Sequence, residues 1–223
     1  MEKEMRREEV RARIEEIGIV PAVRVSSSED ARFAATAVHC AGIPIAEITV
    51  TVPDAIDVIS DLRRDIPEML VGAGTVLDIE TARRCLDAGA QFLTSPGLVL
   101  GIVEFAKTKE VAVLPGALTP TEILAAWQAG ADLVKVFPCA QFGGDSYIRA
   151  LKAPFPQVPL IASGGVNQQT AFNFIAAGAA ALGIGAELIP KESVQLRQEE
   201  RIHELARRFM KMVKDARRRE TRQ

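Results

Sequence analysis

At 223 residues and 48% hydrophobic, the chain can bury one large core or two small ones. Its 27 lysines and arginines nearly balance 29 aspartates and glutamates. The resulting formal charge of −2 excludes a general attraction to nucleic acid or to an anionic membrane.

The opening MEKEMRREEV lacks the apolar stretch of a secretion signal, and no apolar run is long enough to span a bilayer. Residues 1–17 read as an amphipathic helix. IVPAVRV then reads as a strand before the capped helix signal SSSEDARFAATAVHC, and AGIPIAEITV as a glycine stop followed by a second strand. The pattern continues. MLVGAGTVL precedes DIETARRCLDAG, VAVLPGA precedes TPTEILAAWQAG, and VPLIASGGV precedes NQQTAFNFIAAG. A long terminal helix is expected over 192–219. Its basic end DARRRETRQ continues a charged helical pattern, so it reads as a solvated helix end rather than a nucleic-acid tail. Cys40, Cys85 and Cys139 lie far apart, with neither metal-ligand nor redox spacing. A reducing cytoplasm is the expected compartment.

One feature recurs along this pattern. An Ala-Gly pair followed by an apolar strand appears at Ala41, Ala88, Ala129 and Ala177. Glycine stops a helix by accepting positive φ. The spacing of roughly forty to fifty residues suits two strand–helix units rather than one. Four such modules make an eight-stranded parallel (β/α)8 TIM barrel in a single domain over 1–223, with an extra helix at each end. A doubly wound open sheet is the alternative. The short, wholly apolar strands fit either, because both cover the two faces of a parallel sheet.

Barrel enzymes carry their chemistry where strands end. On the second strand, period-two alternation sets Glu47, Thr49 and Thr51 on one face. The third strand ends at Thr75, the fourth at Thr94 and Ser95, and the sixth carries Lys135 in ADLVKVFPCA. Alternation places Lys135 with Leu133 and Phe137, facing the barrel interior. A bland reading pairs Glu47 with Arg24 or with Lys135 simply to satisfy both charges. A chemical reading is open beside it: a neutral amine attacks a carbonyl to form an imine, and a nearby carboxylate moves the protons. The glycines of ASGGVN and GIGAE expose backbone N–H groups suited to an anion, usually phosphate in such barrels. His39 and His203 fall in helical segments, so neither a His-rich zinc site nor a Ser-His-Asp triad is expected.

These residues lead to a resemblance. EIT at 47–49, GAGTVL at 72–77, SPG at 95–97, PGALTPTE at 115–122, KVFP at 135–138, KAPFP at 152–156 and SGGV at 163–166 occur in order. Between about residue 10 and residue 190 the chain resembles the 2-keto-3-deoxy-6-phosphogluconate (KDPG) aldolases, which also act on 4-hydroxy-2-oxoglutarate. The resemblance implies a class I aldolase that needs no metal or other cofactor, acts on a small keto acid, and forms a homotrimer. By position it gives Lys135 as the imine lysine and Glu47 as the acid/base. Thr75, Pro96 and Phe137 would line the pyruvate portion, and Ser163 would contact substrate. Gly164, Gly165, the Ala186 position and Arg24 would surround phosphate. Thr51 stands where many members carry an arginine for the substrate carboxylate, and Ala186 where a serine commonly meets phosphate. An aldolase for a non-phosphorylated or differently configured sugar acid, a phosphate-sugar epimerase or synthase, and a non-catalytic sugar-phosphate binder remain as alternatives.

Overall fold

The structure is a computed structural model and describes residues 5–220. Every pairing in its sheet is parallel, in the order β5-β4-β3-β2-β1-β9-β8-β7-β6. The strands are β1 (Ile19–Val23), β2 (Ile45–Thr49), β3 (Leu70–Gly74), β4 (Phe92–Thr94), β5 (Ala112–Leu114), β6 (Gly116–Ala117), β7 (Val134–Val136), β8 (Leu160–Ser163) and β9 (Ala179–Ile184). β5 and β6 are two halves of the fifth predicted strand, split at Pro115. The first half pairs with β4 and the second with β7, so chain continuity closes the ring. The closure is hydrogen-bonded on both sides of the split. Asp132 N–H donates to Val113 O at 3.0 Å, and Lys135 N–H to Pro115 O at 2.9 Å. This is a barrel rather than an open doubly wound sheet.

The helices between strands are α2 (Ser28–Cys40), α3 (Ala55–Asp65), α4 (Ile79–Asp87), α5 (Leu100–Thr108), α6 (Pro120–Ala129), α7 (Asp145–Lys152) and α8 (Ala171–Ala176). The four recurring Ala-Gly pairs are one structure repeated. Gly42, Gly89, Gly130 and Gly178 all adopt φ between 96° and 101°. Each donates its N–H to a carbonyl three residues back, at 2.8–3.0 Å, before the chain enters the next strand. At φ near +100° a side chain would be strained, so glycine is what makes the reversal cheap.

The terminal helices differ from their expected bounds. α1 (Arg7–Ile17) starts at Arg7, where Glu9 reaches back to Arg6 N–H at 2.8 Å; residues 1–4 of the expected helix lie outside the described residues. The helix expected over 192–219 is two, α9 (Lys191–Gln195) and α10 (Glu199–Glu220). The break falls where Arg197 takes φ 53° and ion-pairs with Glu29 and Asp30 at the start of α2. Pairing with a distant helix overrides a local helical pattern there. No helix among the described residues is long and apolar enough to cross a membrane.

At the amino-terminal end of the barrel, Asp132 does double duty. Its Oδ2 accepts from Val113 N–H at 2.8 Å and from Arg7 at 2.9 Å, while Arg7 also donates to Gly130 O. Gln91 repeats the device between β3 and β4, where its Oε1 accepts from Val71 N–H at 3.0 Å. Removing the carboxylate in Asp132→Ala would leave a strand N–H and a half-buried guanidinium without it. A hydrogen bond to a charged group is worth roughly 1.5–3 kcal/mol. Urea unfolding should show a loss of that size with an unchanged slope, and a loss below about 0.5 kcal/mol, within the ordinary range for surface substitutions, would contradict this role.

Candidate active site

Glu47 and Lys135 meet inside the barrel. Their side chains come from β2 and β7, on opposite arcs of the ring, and Lys135 Nζ lies 3.9 Å from Glu47 Oε1. The two side chains are only 5% and 12% exposed. The pair is close enough for strong attraction in a poorly solvated place, and too far apart for a direct hydrogen bond. Arg24 does not pair with Glu47: its Nη2 donates instead to Thr75 Oγ1 at 3.2 Å.

The register shows why there is room. Cα partners on neighbouring parallel strands share a face, so Glu47 sets the inward direction for Ala22 and Gly72, and Lys135 sets it for Gly116 and Ile161. Glycines fill critical inward positions. A Cβ on Gly74 would lie 2.1 Å from Glu47 Oε1, so the carboxylate occupies the space that a side chain would take. A Cβ on Gly116 would lie 2.2 Å from the carbonyl of Pro96, so that residue can fold in beside the strand carrying Lys135. A Cβ on Gly72 would lie 2.3 Å from the Phe92 ring, which fills the barrel one layer below Glu47. The sequence pattern suggests packing for GAG at 72–74; Gly72 fits that description, whereas Gly74 belongs to the site.

Around the mouth, Phe137 places its ring centre 5.6 Å from Lys135 Nζ, within cation–π range. It is 37% exposed and sits just past β7, before a cis peptide bond to Pro138. It therefore lines the rim rather than the interior. Thr75 has φ 61°, a left-handed conformation rare for a β-branched residue. Such strain is characteristic of functional sites. Ser163 is buried and faces inward with Ile161, two residues before it. Thr51 departs from its expected place. β2 ends at Thr49, and Val52 N–H donates to Thr49 O in a turn, so the alternation stops before Thr51. Thr51 is exposed and reaches the site edge only through its hydroxyl, 2.9 Å from that of Thr49.

Gly164 and Gly165 both take positive φ, 84° and 81°. The loop after β7 holds their orientation: Cys139 N–H donates to Ser163 O at 2.8 Å and Ala140 N–H to Gly164 O at 3.0 Å. A trans peptide keeps C=O and N–H antiparallel, so the N–H groups of Gly164 and Gly165 are turned away from that loop together. Successive N–H groups so arranged form an anion-binding concavity. A Cβ on Gly165 would meet Ala140 at 2.1 Å, which makes glycine necessary. Sequence reasoning missed Cys139 and Ala140, because backbone donors leave no side-chain signature. Ala186 and Glu187 are exposed in the turn after β9, and Arg24 follows β1. Because β8, β9 and β1 are neighbours, these positions and the paired glycines end three adjacent strands.

The histidines sit on outer helices: His39 on α2 is 3.2 Å from Glu68, and His203 on α10 is 3.3 Å from Glu199. Among the described residues, no three His, Cys, Asp or Glu side chains cluster as metal ligands. Burial pushes the Cys85 and Cys139 thiols up to about 11, leaving them protonated at neutral pH. An open hollow of about 710 Å³ at the opposite end is lined by Arg6, Arg63, Arg83 and Lys107, among others, and includes none of the strand-end groups. Chemistry, rather than volume, locates the site.

Fold and site define a β/α barrel with a lysine and a carboxylate in its mouth. Residues 10–205 match the family model for KDPG and KHG aldolases, and the chain belongs to that family. It is 30% identical to the KHG/KDPG aldolase of Escherichia coli K12 over 88% of this chain and 92% of that one. A KDPG aldolase from Legionella pneumophila, solved with pyruvate captured as a covalent carbinolamine, is 29% identical with a TM-score of 0.80, over 88% of this chain and 96% of that one. A designed cage made by fusing symmetric oligomeric domains has a chain 30% identical with a TM-score of 0.81, matched over 92% of this chain and 75% of that one.

Gly74→Ala tests the geometry. The added methyl must push the Glu47 carboxylate out of its place; if Glu47 serves as the acid/base that the resemblance implies, a displacement of about 1 Å can cost on the order of a hundredfold in rate. We expect kcat for aldol cleavage to fall by that order while circular dichroism stays native. A wild-type rate would show that Glu47 does not need this position.

Proposed function

We propose that the chain cleaves 2-keto-3-deoxy-6-phosphogluconate and 4-hydroxy-2-oxoglutarate to pyruvate and an aldehyde, through an imine on Lys135. The observation that carries the reading is the inward Lys135–Glu47 pair at 3.9 Å. Lys135 Nζ attacks C2 of the keto acid, and loss of water from the carbinolamine gives an iminium. Glu47, through water, takes the proton of the C4 hydroxyl. The C3–C4 bond breaks, its electrons enter the iminium, and the aldehyde departs from a pyruvate enamine. Protonation at C3 and hydrolysis release pyruvate and restore the amine. Thr75, Pro96, Phe137, Ser163 and Thr51 line the keto-acid end in this reading. Gly164, Gly165, the Ala186 position and Arg24 hold the phosphate end.

The names of the relatives support both substrates, and the Legionella pneumophila complex supports covalent attachment of pyruvate. A symmetric homotrimer fits the exposed apolar side chains Leu77, Ile79 and Leu100 at the starts of α4 and α5. Borohydride reduction in the presence of pyruvate should add a stable pyruvyl mass to Lys135, in protein exhaustively treated with EDTA. Lys135→Ala should stay folded, gain no mass and lose cleavage. Normal turnover by Lys135→Ala, or loss of wild-type activity that zinc or magnesium restores, would sink the imine mechanism.

The phosphate end yields a separate expectation. The backbone concavity is present, but Ala186 offers no hydroxyl. Ala186→Ser should restore one charge-assisted hydrogen bond and raise kcat/KM for the phosphorylated six-carbon substrate about tenfold. It should leave 4-hydroxy-2-oxoglutarate, which carries no phosphate, unchanged. Equal efficiencies before and after substitution, for both substrates, would show that the position does not limit phosphate recognition.

A further inference from the structure

Thr94 is 2% exposed, and its Oγ1 is buried without a hydrogen-bond partner among the described residues. Buried hydroxyls are normally satisfied, so this one calls for a reason. Its direction follows from the neighbouring strands. Phe92 points into the barrel, because its ring occupies the space over inward-facing Gly72. Thr94 is two residues further along β4 and shares that direction. Its level also follows. Ala73 pairs with Leu93, which puts Thr94 beside Gly74, the glycine whose missing side chain makes space for Glu47 Oε1. Thus an unpartnered hydroxyl on β4 faces the interior next to the Glu47 carboxylate. That carboxylate stands 3.9 Å from Lys135, a separation that a water can bridge but a direct hydrogen bond cannot.

We propose that Thr94 is a positioning residue that holds the proton-carrying water used by Glu47. The proposal rests on the imine reading above and deepens it. A buried water needs two to four polar partners. Thr94 Oγ1 and Glu47 supply two, and the amine or the bound substrate supplies another. A water held by Glu47 alone could rotate and drift; a second anchor on β4, across Gly74 of the intervening β3, fixes its line of approach. When pyruvate is bound as its iminium, one proton leaves C3 through this water to Glu47 and the C–H electrons form the enamine. In D2O a deuteron returns by the same route, so the pyruvate methyl exchanges without any aldehyde being present.

That exchange separates the role of Thr94 from imine formation. Thr94→Val keeps the shape and removes the hydroxyl; Thr94→Ser keeps the hydroxyl. Trapping of pyruvate on Lys135 by borohydride at saturating pyruvate should be unchanged in Thr94→Val. Methyl exchange in D2O, followed by proton NMR, should fall about tenfold, the worth of one hydrogen bond, and return in Thr94→Ser. The thermal midpoint of Thr94→Val should equal or exceed that of the wild type, because no internal hydrogen bond is lost. Wild-type exchange in Thr94→Val would overturn the proposal. So would a destabilised Thr94→Val in which trapping and exchange decline together, since that marks a structural role. If the wild-type protein itself traps no pyruvate, the imine reading fails first and this proposal falls with it.

Discussion

An ammonium and a carboxylate facing each other inside a narrow barrel constrain everything around them. Each would be expensive to bury alone, and their attraction offsets that cost only while both remain in place. A tight ion pair would satisfy both charges and leave neither free for chemistry. At 3.9 Å the pair is held short of that arrangement. The restraint comes from where the two side chains are rooted. Glu47 rises from β2 into the space beside Gly74, while Lys135 approaches from β7 past Gly116 and Pro96. Strand register, rather than contact between the two groups, sets their separation.

The site is thus shaped largely by what is absent. At Gly72, Gly74 and Gly116, a single added methyl would collide with an aromatic ring, a carboxylate or a backbone carbonyl, respectively. Beta-carbon-free positions on the inner wall open the mouth without lengthening the barrel, and below them Phe92 plugs the interior. The same principle operates at Gly165, where contact with Ala140 locks the loop after β8 against the loop after β7. Close packing makes these positions intolerant of even one methyl.

Much of this was visible in the sequence, for reasons that also explain what was not. The Ala-Gly pairs were legible because one backbone conformation requires glycine and recurs at a fixed spacing. Lys135 was legible because a charge interrupts an apolar strand. Gly74 was not, since a void carries no polarity or period. Thr51 was misplaced because alternation was extended past the last paired residue, where the Thr49–Val52 turn ends it. Arg24 was a candidate partner for Glu47 on charge alone, but it follows β1 at the rim and reaches Thr75 instead. The break before α10 depends on Arg197 meeting Glu29 and Asp30, some 170 residues earlier in the chain. No local pattern reports a contact at that range.

The closed floor has a consequence for traffic. α1 packs beneath the barrel against β1, β5 and β9, with Val10 and Ile14 fully buried, and Arg7 ties it to Asp132. With α1 covering the amino-terminal end, the substrate and products of the proposed reaction approach Glu47 and Lys135 from the carboxyl-terminal end. On the proposed imine reading, the fragment bonded to Lys135 stays until its imine is hydrolysed. A covered floor in this way gives the barrel a direction, with no moving gate.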